Sequence, residues 1–139
     1  MQTQHCVTVS NIGEVYAGTS RAEANAAFRE YRADSLTGLG RAGAETVTQW
    51  ADDEITREFS PVVYDAELTD TYAGEANYSW VRRAPLVFDR APSRVALVRR
   101  AKAALGITGA PCRRADYGDM IQLNPRNTCT VAFITYRDI

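Results

Sequence analysis

Ser20-Arg21-Ala22-Glu23 has the spacing of a capping box, in which the serine hydroxyl serves the backbone N–H three residues on and the glutamate reaches back. Ala24, Phe28, Tyr31 and Ser35 follow at helical spacing, so one narrow apolar face predicts a helix from about Ser20 to Leu36, ended by the glycines of Gly38 to Gly43. A second helix is predicted from Pro92 and Ser93 to Leu105, with Gly106 where a C-cap favours glycine and Val95, Val98, Ala101 and Leu105 as its buried stripe. Short alternating segments surround both. Cys6 to Ser10 and Glu14 to Ala17 make a hairpin around Asn11-Ile12-Gly13, and Glu45 to Trp50 and Glu54 to Phe59 make another around Asp52-Asp53. A two-residue turn there sets Trp50 against Ile55, Thr48 against Arg57 and Thr46 against Phe59. Leu86 to Phe88 reads as a short buried strand, and Cys112 to Asp116, Asp119 to Leu123 and Thr128 to Tyr136 as three more. An apolar stripe on a helix and an apolar face on a sheet each need a second layer, so the class is α+β: antiparallel sheet or sheets with two helices, in two similar strand-helix-hairpin halves.

At 139 residues, 45% hydrophobic and 24% charged, the chain has the size and composition of a single domain over 1–139. It is divisible into lobes 1–60 and 80–139, joined by an irregular segment 61–79, read as a long loop: Val62-Val63-Tyr64 could form a strand, but from Glu67 to Ala76 acids, Gly and Thr follow no period. No apolar run approaches the length of a membrane span, and the first residues have neither a basic start nor an apolar core. An unexported, soluble protein is expected. Cys6, Cys112 and Cys129 show no metal-binding spacing and lie in or beside strands, which predicts buried free thiols. With His5 as the single histidine, neither a structural metal nor a cofactor is expected.

Gly38-Leu39-Gly40-Arg41-Ala42-Gly43 matches G-x-G-x-x-G in letters but not in context. The dinucleotide fingerprint leaves a strand and opens a helix, whereas these glycines leave a helix and enter a strand. A flexible C-cap and loop is the reading, with room for one anion on exposed N–H groups beside Arg41. His5 and Cys6 are adjacent on a strand and point to opposite faces, so they cannot form a dyad. Asp116 and Asp119 flank a turn and are candidates for acid-base work, although Asp and Gly are also what turns are made of.

Charge is divided along the chain. Residues 1–79 hold 5 basic and 13 acidic side chains, net −8, while residues 80–139 hold 11 basic and 4 acidic, net +7. The basic set is 15 Arg and one Lys. Guanidinium forks suit phosphate, and the pairs Arg82-Arg83, Arg99-Arg100 and Arg113-Arg114 lie near Tyr78, Trp80 and Tyr117, a combination that holds a nucleotide's phosphates and base. The candidate ligand-binding residues are Arg41, Arg82, Arg99, Arg113, Arg114 and Tyr117. On a strand, only one of two consecutive Arg side chains can join a common patch.

Val15-Tyr16-Ala17-Gly18, Glu30-Tyr31, Gly40-Arg41-Ala42, Glu45-Thr46-Val47 and Glu54-Ile55 lie within residues 15–59, a stretch that resembles small accessory proteins of tailed phages and prophages. The resemblance implies a counter-defence role in the cytoplasm of a bacterial host. One such class, the sponge-like Thoeris anti-defence proteins, sequesters cyclic nucleotide signals in oligomers; another, the anti-CRISPR proteins, blocks an effector by surface contact. No site residues are carried over from either. The expectation is a non-enzymatic protein that sequesters a small, anionic, nucleotide-like signal, as a homo-oligomer and without direct nucleic-acid binding. The alternatives are a protein–protein inhibitor of a host defence effector and, third, a small enzyme using Asp116 and Asp119.

Overall fold

The computed structural model of the chain describes residues 2–70, 77–126 and 129–137, the side chains of 70 and 77–81 excepted. The order is β1 (His5–Val9), β2 (Gly13–Gly18), α1 (Arg21–Thr37), β3 (Val47–Ala51), β4 (Glu54–Phe59), β5 (Val62–Asp70), β6 (Asn77–Phe88), α2 (Arg94–Ala104), β7 (Cys112–Asp116), β8 (Met120–Pro125) and β9 (Thr130–Arg137). Two antiparallel sheets result, a four-stranded one ordered β2-β1-β3-β4 and a five-stranded one ordered β6-β5-β9-β8-β7, so the fold is α+β. The chain separates into two compact units, Met1–Val62 with Val87–Arg90 and Val63–Leu86 with Ala91–Ile139. Among the described residues no helix is long and apolar enough to cross a membrane.

In the first unit α1 begins where its cap predicts. The Ser20 hydroxyl accepts from the Glu23 N–H at 3.1 Å, while the Glu23 carboxylate meets the Tyr16 hydroxyl at 3.2 Å instead of closing the box. Ala24 and Phe28 of α1 are buried with Val7, Val9, Val47, Phe59 and Ala42 in one core. The helix ends at Gly38 in the left-handed conformation (φ 69°), where a Cβ is costly. Beyond it the loop is tied back to the helix end by hydrogen bonds. The buried Ser35 carbonyl accepts from the N–H groups of both Gly38 (3.1 Å) and Ala44 (2.9 Å), and its hydroxyl donates to the Glu45 carbonyl at 2.7 Å.

The β3–β4 hairpin departs from the expected register. Trp50 does pair with Ile55, but a β-bulge between Gln49 and Trp50 leaves Thr56 without a cross-strand partner, so Gln49 pairs with Arg57, Thr48 with Glu58 and Val47 with Phe59. The slip has a physical reason. It carries Phe59 and Arg57 from the Trp50 face to the face that α1 covers, burying Phe59 beside Val47 and leaving Ile55 53% exposed.

In the second unit, β5 contains the strand considered at Val62-Val63-Tyr64 and runs on to Asp70, overturning the long loop expected over the first half of 61–79. Its residues 63–70 pair with β9 without interruption, from Val63–Arg137 to Asp70–Thr130, burying Val63, Ala66 and Thr69. Arg137 forks onto Asp65 through Nε (2.9 Å) and Nη2, a pairing 72 residues apart that no local pattern announces. The strand expected at Leu86 to Phe88 starts earlier, at Asn77. The remainder of that segment at 71–76, and the aromatic side chains of Tyr78 and Trp80, lie outside the described residues.

Helix α2 is capped by Ser93, whose hydroxyl accepts from the Ala96 N–H at 3.1 Å. Its buried stripe is Leu97, Ala101 and Leu105, not the expected one led by Val95 and Val98; Val95 is 63% exposed and Val98 half-buried. Apolar residues ring this helix closely enough to offer two stripes, and the larger Leu97 takes the core. The cysteines are free, but the expected burial does not hold: Cys6 and Cys112 are half-buried and Cys129 is exposed.

Candidate anion-binding site

Val95, Val98, Arg99 and Lys102 recur along α2 at helical spacing, forming a second stripe beside the buried one. With Thr108, Gly109 and Arg114 they line a cavity of about 450 Å³ in the second unit. Arg114 reaches it because β7 alternates. Arg114 pairs with Leu123 and Asp116 with Ile121, both buried, so these two side chains lie on the core face, where Asp116 meets Arg94 of α2, while Arg113 pairs with Asn124 on the other face. Val95 and Val98 supply an apolar wall, and three cationic groups surround it.

Those cations differ in what they already hold. The Lys102 ammonium donates to the Ala110 carbonyl at 2.5 Å, which leaves two of its three N–H groups. Neither Arg99 nor Arg114 has a side-chain partner among the described residues. The nearby acid, Asp116, is engaged. Its Oδ2 lies 3.3 Å from Arg94 Nε and its Oδ1 accepts from the Gly118 N–H at 2.9 Å.

The remaining sequence candidates fall elsewhere. The Arg82 guanidinium donates to the Leu105 carbonyl at 2.9 Å, serving the C-terminal end of α2. Tyr117 sits 61% exposed at the β7–β8 turn, outside the cavity lining. Arg41 belongs to the first unit, exposed on the glycine loop, where its carbonyl accepts from Asn11 at 2.5 Å. That loop's N–H groups from Leu39, Gly43, Ala44 and Glu45 are committed to Thr37, Gly40, Ser35 and Ala42, so little of the expected anion nest remains. Asp116 and Asp119 stand at the ends of a turn, the first tied to Arg94 and the second contributing its carbonyl to the Tyr136 N–H at 2.9 Å.

Lys102, Val95 and Val98 were missed as site residues, the valines because they read as core. A second cavity, of about 630 Å³, went unanticipated altogether. It lies in the first unit beside the N-terminal turns of α1, with Arg21, Asn25, Gln49 and Arg57 in its wall. The signal that could have found it is weak: an Arg and a Gln on facing strands of an otherwise acidic hairpin. No protein-family model, curated protein or solved structure matches this chain.

Proposed function

We propose that this chain is a binding protein without chemistry of its own, which holds an anionic, nucleotide-like ligand with phosphate oxygens against Arg99, Lys102 and Arg114 and an apolar portion on Val95 and Val98. The observation that carries this reading is the pair Arg99 and Arg114, both without side-chain partners among the described residues and both in the wall of one largely apolar cavity. Cations on a merely solvated face have no reason to ring valines. The volume of about 450 Å³ lies within the range typical of small-molecule sites. The likeness of residues 15–59 to phage and prophage accessory proteins supports a counter-defence role, sequestering a signalling nucleotide inside a bacterial host. Opposite net charge on the two units supports a homo-oligomer, since complementary fields favour docking.

The test is a melting-temperature screen with cyclic dinucleotides and cyclic ADP-ribose isomers, followed by recovery of the ligand. A ligand at one hundred times its Kd adds about 2.7 kcal/mol of stability, a readily measured rise, and is recovered unchanged. Arg99→Ala and Arg114→Ala each weaken binding about tenfold or more, because each removes a charge-assisted hydrogen bond worth about 1.5–3 kcal/mol. No shift at millimolar ligand overturns the binding role, and conversion of the ligand overturns its non-catalytic nature.

A further inference from the structure

The cavity of the first unit is built around one cation. Arg57 Nε and Nη2 donate to the Gln49 side-chain oxygen at 3.1 and 2.7 Å, and Nη2 also lies 3.4 Å from the Asn25 oxygen. Gln49 is only 4% exposed and is itself held by donating to that same Asn25 oxygen at 2.8 Å. The guanidinium plane rests over the Phe28 ring, 4.2 Å from its centroid. Residues of α1, β3 and β4 thus fix one side chain, and every oxygen that fixes it belongs to a neutral amide.

An ion pair would have cancelled the charge; amide oxygens orient it and leave it whole. Both hydrogens of Arg57 Nη1 stay available, because Nε and Nη2 make all the contacts above. Arg21, at the first position of α1, lines the same cavity with no side-chain partner among the described residues, and so does His5 on β1. The Asn25 amide nitrogen adds neutral donors. Among the described residues the wall contains no carboxylate; of the acids of this hairpin, Asp52, Asp53 and Glu54 are at its tip and Glu58 accepts from the Thr48 hydroxyl on the opposite face, all outside the lining. Around this positive pocket the first unit carries 6 basic and 10 acidic side chains, net −4.

We propose that this cavity is a second binding site, separate from the groove beside α2 and taking a small phosphomonoester. Converging donors with no acceptor charge call for an anion rich in acceptor oxygens, and two guanidinium groups match a phosphate better than a single carboxylate. A net-negative surround repels an extended polyanion and tolerates a compact one. The volume of about 630 Å³ exceeds what inorganic phosphate fills, leaving space for a small esterified body.

Isothermal titration of the full chain with ribose 5-phosphate, inorganic phosphate and succinate tests the assignment. Ribose 5-phosphate binds most tightly, phosphate more weakly, and succinate at least tenfold more weakly than the ester. Arg21→Ala, which breaks no side-chain hydrogen bond or ion pair among the described residues, reduces affinity for the ester about tenfold, and Arg57→Gln reduces it further if circular dichroism shows a folded protein. Arg114→Ala leaves this binding unchanged, which separates it from the groove. Failure of the wild type to bind the ester at millimolar concentration overturns the site, as does unaltered affinity in Arg21→Ala. Equal affinity for succinate overturns the phosphate assignment.

Discussion

A Cβ on Gly43 would sit 2.5 Å from the Leu39 nitrogen and 2.6 Å from the Gly38 carbonyl carbon. The clash is with backbone, which cannot rotate aside, so Gly43→Ala is expected to cost roughly 1–3 kcal/mol in urea denaturation, as overpacking does. An unchanged midpoint would show the loop free to relax. Cys6 invites a different measurement. Partial burial, followed by its hydrogen bond to Glu14 and that carboxylate's charge, pushes its thiol above the usual value of 9.0. At pH 8 it therefore holds less thiolate than an ordinary cysteine, so alkylation read by mass spectrometry labels exposed Cys129 before Cys6. Glu14→Gln removes an influence that favours the protonated form, and labelling of Cys6 accelerates; an unaltered rate rules out the carboxylate's part. At this scale the site was half legible. Arg99 and Arg114 stand out as Arg in a basic stretch, but nothing about the letters at 49 and 57 distinguishes a buried amide clamping a guanidinium from two polar residues on a wet hairpin.

Helix ends were readable because their chemistry is local. Ser20, Ser93 and Gly38 act on backbone groups a few residues away, and α1 and α2 begin and end within a residue or so of where those caps imply. Ser20→Ala and Ser93→Ala are each expected to lower stability by about 1 kcal/mol, seen as a lower urea midpoint with unchanged slope. Strand register was not readable, since it depends on what covers the sheet. The bulge at Gln49 follows from α1 drawing Phe59 inward, and it moves Arg57 onto the helix side with it. Strand β5 was legible only at Val62-Val63-Tyr64 for the same reason: the order of the rest comes from β9, roughly seventy positions on, whose residues meet it one for one. The valines of α2 mark the limit of periodicity alone, which identifies apolar stripes and leaves the choice among them to packing.

For the whole molecule, the charge division seen along the chain is only partly a division in space. Asp65 and Glu67 belong to the acidic stretch by position, yet β5 carries them into the second unit, where they meet Arg137 and Arg83. Counted by unit, the imbalance shrinks to −4 for the first and, with 10 basic and 7 acidic side chains, +3 for the second. Much of the arginine content is thereby consumed in holding the fold, which is why few guanidiniums remain for the groove. Opposite charge still persists. The homo-oligomer proposed above is accordingly expected to dissociate in sedimentation experiments as salt rises from about 0.1 M to about 1 M and the Debye length falls from about 10 Å to about 3 Å; salt-independent mass would mean that apolar contacts, or none, hold copies together.

The position of β5 has a practical side as well. A gene cut where acid gives way to base, near residue 80, would look like a clean excision of the arginine-rich part, but the fragment would lack the strand lying against β9. Ala132 and Ile134 would lose their cover, and a full row of backbone N–H and C=O groups would face water, ready to recruit any extended chain. Such a truncation would be expected to precipitate, whereas one retaining everything from Val62 onward would keep its sheet complete.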